Sequence, residues 1–423
     1  MDLQHEYNTQ SRDSPNTCTP KQMGDALLPM PGGLLSKRAV VHVQPNKLYQ
    51  ITANKSRCFH AVLCLSQKGM VITMKRVNLK QLYEFSVNAL EKAGMSRVDA
   101  ETVAETLITT DKFGVMTHGT KNLYQYVLKM QAGGLDAKAK PTIVSEGPSW
   151  AIVNGNKAMG MVSACKAMNL AIEKAAATGI AYVGVKNSCH FGAAGYYANL
   201  AADKGMLGIS VSNADPIITV PNAAKPAIGT NPFSFAAPLG NGRSVFLDIA
   251  LSNVAALKVI MAQEKGTEIP DTWLVDEEGQ PTTDAYKFPK TASLQPMAAH
   301  KGYGFAVLVE ILASVMTGAG ILSEVTSWNL DLKSTNNAGH AFIAIDISKM
   351  MPKETFSARM EQMANELKRS KLAKNATKIF LPGEMEWEKR ELAEKSGYLE
   401  VTDAMAESYI KLSELTGEKI IIE

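Results

Sequence analysis

Two histidines stand in nearly the same setting. His118 lies in MTHGTKN (116–122) and His190 in CHFGAAG (189–195), each among very small residues where a helix is about to begin. Imidazole titrates near neutral pH, so a positioned histidine can give a proton to an oxygen or take one from it. Glycine lets another molecule approach the backbone closely, and the free amides of a helix start favour an anion such as a carboxylate. The two sites together point to acid–base chemistry on a small acidic substrate. Either histidine alone is more often a helix cap or a packed core residue. The other five, His5, His42, His60, His300 and His340, fall at irregular spacing, so no metal site is expected.

The strings that usually hold a nucleotide are missing. Gly240-Asn241-Gly242 follows Pro238-Leu239 rather than a clean strand and lacks the third glycine of a dinucleotide turn. There is no phosphate-binding loop, no H-E-x-x-H and no G-x-S-x-G. Six further strings, SNADP (212–216), AIGTNPFSFAAP (227–238), FLDIA (246–250), IPDTWLVDEEGQPTTD (269–284), HKGYG (300–304) and FLPGE (380–384), are rich in Gly, Pro, Asn or Asp. They fall at element boundaries, where a rigid scaffold tends to place binding residues. Singly, each reads as turn chemistry.

The elements that must position these residues follow from periodicity. From Met74 onward, apolar residues at three- and four-residue spacing predict two amphipathic helices joined at 94–96, then a helix stopped by Gly133-Gly134. Strand-like runs follow: SWAIVNG, IAYVGVKNS, MLGISVSNA, FSFAAP and SVFLDIA, with the helix MVSACKAMNLAIEKAAATG between the first two. His190 therefore sits where a strand hands over to a helix beginning near Ala193. The last third returns to helix in GYGFAVLVEILASVM, TFSARMEQMANELKRSK and AMAESYIKLSEL, with one strand, AFIAIDI, among them. The expected fold class is α/β: a mostly helical domain from residues 74–145 plus 326–423, and an α/β domain over 146–325.

Composition bounds the function. The chain has 423 residues, 46% hydrophobic, and 44 Lys+Arg against 41 Asp+Glu, enough for a large core and too evenly charged to suggest nucleic acid. The most apolar long run carries Glu310 in its middle, so it reads as a buried helix and no membrane partner is expected. Five cysteines, Cys18, Cys58, Cys64, Cys165 and Cys189, form no C-x-x-C pair and fit a reducing cytoplasm. Residues 1–25 are polar and aperiodic and LLPMPGGLLSKRAVVHV gives only a short apolar patch, so residues 1–73 are expected to be an extension outside the fold; Asp2, Glu6, Asp13 and Asp25 count against a transit peptide.

Taken in order, THGTKNLYQYVLKMQAGGL, HFGAAGYY, GTNPFSFAAP, IPDTWLVDEEGQPTTD and KGYG resemble the type-two malate/L-lactate dehydrogenase family from about Met74 to the C-terminus. The family includes ureidoglycolate, sulfolactate and diketogulonate oxidoreductases and a piperideine-carboxylate reductase. The resemblance implies a cytoplasmic homodimer that moves hydride between NAD or NADP and the carbon next to a carboxylate, with a non-Rossmann nicotinamide-binding domain. It implies acid–base roles for His190 and His118, with His190 preferred as the proton carrier and His118 orienting the carboxylate with Thr117, Lys121 and Asn122. Asp215, Asp248, Ile249, Ala250, Lys301, Gly383, Glu384 and Met385 match cofactor-lining positions, although Lys301 also reads as a plain surface lysine. Two positions depart from the pattern: Asn122 stands where many relatives carry an arginine, and Ala214 where some carry a serine. A malate- or lactate-like 2-hydroxy acid is the expected substrate. The alternatives are reduction of a cyclic imino acid and a catalytically idle nucleotide-binding homologue.

Overall fold

The side chain of Asn78 accepts the amides of Lys80 and Gln81 and so starts helix Leu79–Lys92. Gly94, at φ +103°, turns the chain, and Ser96 accepts the Asp99 amide to start helix Arg97–Lys112. The computed structural model describes residues 75–423; the expected extension over residues 1–73 lies outside them. Leu82, Phe85 and Leu90 on the first helix bury against Val103 and Leu107 on the second. Burying each such side chain stabilises the fold by about 1.5–3 kcal/mol. The same cluster takes in Tyr126 and Val127 of helix Leu123–Gln131 and Met405, Tyr409 and Leu412 of helix Asp403–Thr416. Strand Lys75–Asn78 pairs with Tyr398–Val401. Both ends of the described chain therefore share one core.

Seven strands form the main sheet, in the order Thr142–Gly147, Trp150–Asn154, Ile180–Ser188, Ala338–Asp346, Met206–Ser212, Phe233–Pro238 and Ser244–Ile249. Within it, Trp150–Asn154 and Ile180–Ser188 run parallel; every other pair is antiparallel. The architecture is mixed α/β. Helix Gly160–Thr178 packs on one face through Ala164, Ala167, Ala171 and Ala175, side chains small enough to bring helix and sheet close.

The strand expected at 341–347, beyond residue 326, is Ala338–Asp346, and it pairs on both edges inside the main sheet. Its alternation explains this: Phe342 and Ala344 enter the core under helix Gly160–Thr178, while Ala341 enters the core on the other face. A strand buried on both faces needs neighbours on both sides.

A second sheet of five short strands, which includes Ile218–Thr219, Leu274–Asp276 and Ala292–Leu294, had no counterpart in the sequence reading. The long apolar run forms helix His300–Glu310 and then loosens into a π turn at Ile311–Val315. Among the described residues no helix is long and apolar enough to cross a membrane, and no group of His, Cys, Asp or Glu is placed to hold a metal ion.

Candidate active site

A cavity of about 240 Å³ brings the two histidines together. His118 and Thr117 line it from one loop, His190 to Ala194 from the link between strand and helix, Asn213 and Ala214 from the end of a strand, and Asp248, Ile249 and Ala250 from the end of another. The imidazole rings of His118 and His190 face each other with centroids 5.6 Å apart and planes inclined by 28°.

His190 is held on two sides. Its Nδ1 lies 2.5 Å from the hydroxyl of Tyr126, and its face stacks on the indole of Trp328 at 4.4 Å and 13°. Burial, then the nearby His118 and His340, push its pKa well below the ordinary 6.5. Burial also raises the phenol of Tyr126 well above 10, so that hydroxyl keeps its proton. Gly160 lets the start of helix Gly160–Thr178 pack against the carbonyls of Cys189 and His190, where a Cβ would overlap both. Behind the link, His340 stacks on Phe191 at 4.5 Å and bonds Ser212 and Ser188 through its two nitrogens, each at 2.8 Å. Burial brings His340 down to about 3, so it is a neutral packing residue.

His118 is held differently. Its Nδ1 lies 2.7 Å from the hydroxyl of Thr117, and burial, then the charge of Lys121, lower its pKa. The loop is pinned from beneath by Asp111, whose Oδ2 accepts the Thr120 amide at 2.9 Å and the Thr120 hydroxyl. Thr120 Oγ1 also lies 2.6 Å from the hydroxyl of Tyr409. Among the described residues Asp111 Oδ1 has no partner, and burial raises this carboxyl to about 7. Asn122 turns inward and donates to the carbonyl of Thr117 at 3.0 Å.

Where the strands end, the cavity wall is mostly apolar, with Ala214, Pro232, Ile249, Ala250 and Ala255 interrupted by Asn213, Thr230 and Asp248. Buried Glu310 fixes this end: Oε1 accepts Asn213 Nδ2 at 3.2 Å and the Leu322 amide at 2.9 Å, and Oε2 accepts Asn231 Nδ2 at 2.8 Å. Asp248 accepts the Gly195 amide at 2.8 Å, and burial raises it to about 6. A Cβ at residue 195 would stand 2.8 Å from that carboxylate oxygen, so only glycine fits comfortably. A mostly apolar wall with a few polar groups suits a nicotinamide ring and its carboxamide. The cavity is smaller than the roughly 300–1,000 Å³ typical of ligand pockets, so it suits the reacting ends of cofactor and acid rather than a whole dinucleotide.

The other expected residues lie outside these walls. Lys121 and Asn122 follow the His118 loop, Asp215 follows Ala214, and Lys301 is exposed in the first turn of helix His300–Glu310. Gly383 packs at φ +83° against the ring of Phe246. Burial opposes ionisation of Glu384, but its bonds to Lys378, the Leu381 amide and Lys368 prevail and bring it to about 2. Tyr126 and Trp328, which hold His190, are not singled out by the sequence. Only the spacing of Tyr126 after His118 on a predicted helix was available as a signal.

A family model described as malate/L-lactate dehydrogenase matches residues 77–408. The malate dehydrogenase of Pyrococcus abyssi is 38% identical over 73% of this chain and 86% of its own length. The L-sulfolactate dehydrogenase of Methanocaldococcus jannaschii is 34% identical over 77% of this chain and 92% of its own. The solved malate dehydrogenase of Pyrococcus horikoshii superposes with a TM-score of 0.74 at 32% identity, covering 82% of this chain and 97% of that one. The chain belongs to the malate/L-lactate dehydrogenase family, as an oxidoreductase acting on 2-hydroxy acids.

Proposed function

We propose that this dehydrogenase interconverts a small malate- or lactate-like 2-hydroxy acid and its 2-oxo acid, with His190 exchanging the hydroxyl proton. The observation that carries this reading is the facing pair His118 and His190 in one cavity that Asp248, Ile249 and Ala250 also line. Because burial holds His190 neutral, it is ready as a base: with Nδ1–H bonded to the Tyr126 oxygen, Nε2 takes the proton from the 2-hydroxyl. A bound substrate carboxylate raises the imidazole pKa by its charge and stabilises the proton there. His118, backed by Thr117, Lys121 and Asn122, orients that carboxylate. The nicotinamide supplies the hydride acceptor when bound.

NAD or NADP is the cofactor we propose, held by Asp248, Ile249 and Ala250 within the cavity and by Asp215, Lys301 and Gly383, Glu384 and Met385 beyond it. A homodimer in the cytoplasm completes the reading. The exposed side chains of Phe305, Leu308, Ile311 and Val315 form an apolar stripe suited to a second copy, and half-buried Cys165 and buried Cys189 carry free thiols. The test is oxidation of NADH and of NADPH, followed by absorbance, across 2-oxo acids and cyclic imines. Turnover of a 2-oxo acid is expected; turnover of a cyclic imine alone, or cofactor binding with no turnover, would overturn the assignment.

A further inference from the structure

We propose that Trp328 positions the imidazole of His190 and forms the wall that limits the size of the substrate's 2-substituent; the inference rests on the proton-exchanging role assigned to His190. The indole lies nearly parallel to the imidazole at 4.4 Å, and Tyr126 packs against the indole at 4.9 Å while its hydroxyl meets His190 Nδ1. Stacking fixes the plane of the ring, and the hydroxyl fixes its rotation. Restraint of both kinds holds a catalytic group near its productive geometry before substrate arrives.

A wall selects by size only if it is rigid, and this one is anchored from the helix that carries Tyr126. Lys129, one turn further along and fully buried, donates to the carbonyls of Asp331 at 2.5 Å and Ser334 at 2.8 Å. Gln125 Nε2 donates to the Asn329 carbonyl at 2.6 Å. Gly134 packs against the Leu332 carbonyl so closely that a Cβ would overlap it. Burying an ammonium is costly unless it is hydrogen-bonded, and the two acceptors Lys129 finds are both carbonyls of this loop, so Lys129 ties the loop down firmly. One face of helix Leu123–Gln131 thus holds His190 directly through Tyr126 and indirectly through the loop that presents Trp328.

The test compares full-length wild type, Trp328→Phe and Trp328→Ala on 2-oxo acids of rising chain length, pyruvate, 2-oxobutanoate and 2-oxohexanoate. Histidine ring resonances are recorded by proton NMR alongside, with His190 assigned from His190→Gln. In Trp328→Ala the kcat/KM ratio of the longest to the shortest acid rises about tenfold or more, since each methylene a pocket admits or rejects is worth roughly 10–200-fold. kcat on pyruvate falls, and the upfield ring-current shift of His190 disappears. Trp328→Phe keeps the shift and most of kcat, with an intermediate ratio, and decides the question should Trp328→Ala fail to fold. An unchanged ratio in folded variants, or a His190 shift indifferent to Trp328, overturns the inference. If wild type turns over no 2-oxo acid, the functional reading fails separately, and the ring-current shift alone then decides whether Trp328 clamps His190.

Discussion

The His118 loop and the His190 link look alike as strings of residues, yet they are built on opposite principles. His118 is positioned by polar groups: Thr117 at its ring nitrogen, and the Asp111 carboxyl under the next turn. His190 is positioned by aromatic surface, between Trp328 and His118 with Tyr126 at its edge. Their glycines differ too. Gly119 is required for space, because a Cβ there would overlap the Asp111 carboxylate. Gly192 has room, its nearest neighbour being the His118 carbonyl at 3.5 Å, but takes φ +81°. A histidine before small residues at a helix start is therefore one sequence signal for two different physical devices. The aromatic device tunes the ring, and the polar device fixes the loop.

The most direct way to break this comparison is to remove each imidazole. His190→Ala is expected to lower kcat by roughly a hundred- to ten-thousand-fold, the usual worth of a general acid–base group, with NADH or NADPH affinity nearly unchanged. His118→Ala is expected to raise KM by about ten- to a hundredfold, the range of a hydrogen bond to a charged group, and to lower kcat less. Steady-state kinetics on the best 2-oxo acid separate the two signatures, and their exchange would mean that the roles are reversed.

The glycines sharpen the comparison at lower cost. Gly119→Ala is expected to destabilise the protein by about 1–3 kcal/mol through overpacking and to raise KM, because the Asp111 contact and His118 must both move. Gly192→Ala is expected to cost about 1–2 kcal/mol from its left-handed backbone alone. Urea unfolding and KM are measured on both. An unaltered KM in Gly119→Ala would show that Asp111 does not set the His118 loop.

How far the sequence alone carried this site follows from the same contrast. Local signals were legible: the histidines, the small residues beside them, and the helix and strand that His190 joins. What was hidden depends on partners distant in sequence. Trp328 lies in a loop with no periodicity, and nothing local ties it to His190. Asp111 reads as the polar side of an amphipathic helix until Thr120 is folded back onto it. The strand Ala338–Asp346 was recognisable by its alternation, but its neighbours were not, since register is a property of pairs. Helix Glu384–Ser396 carries charge on most of its surface and shows too narrow an apolar stripe to announce itself.

The smallest expected effect is a slope, and it tests the polar device alone. The folded-state pKa of Asp111 is raised to about 7 by burial, from an ordinary value of 3.8. Between those values the folded protein holds a proton that the unfolded chain has released, so the contribution of Asp111 to stability falls as pH rises through the window and levels off above about 7. A single group contributes at most about 1.4 kcal/mol per pH unit. Asparagine has the same shape and can accept the Thr120 amide, but it does not titrate. Asp111→Asn should therefore remove this falling contribution to the unfolding free energy between about pH 4 and 7, measured by urea titration against wild type. His340, lowered from 6.5 to about 3 by burial, contributes in the opposite direction, adding stability as pH rises through the same window, but it does so in wild type and Asp111→Asn alike, so the difference between the two curves reports Asp111. Parallel curves for wild type and Asp111→Asn would show that Asp111 ionises alike in both states. The His118 loop would then rest on a charged carboxylate rather than a neutral acid.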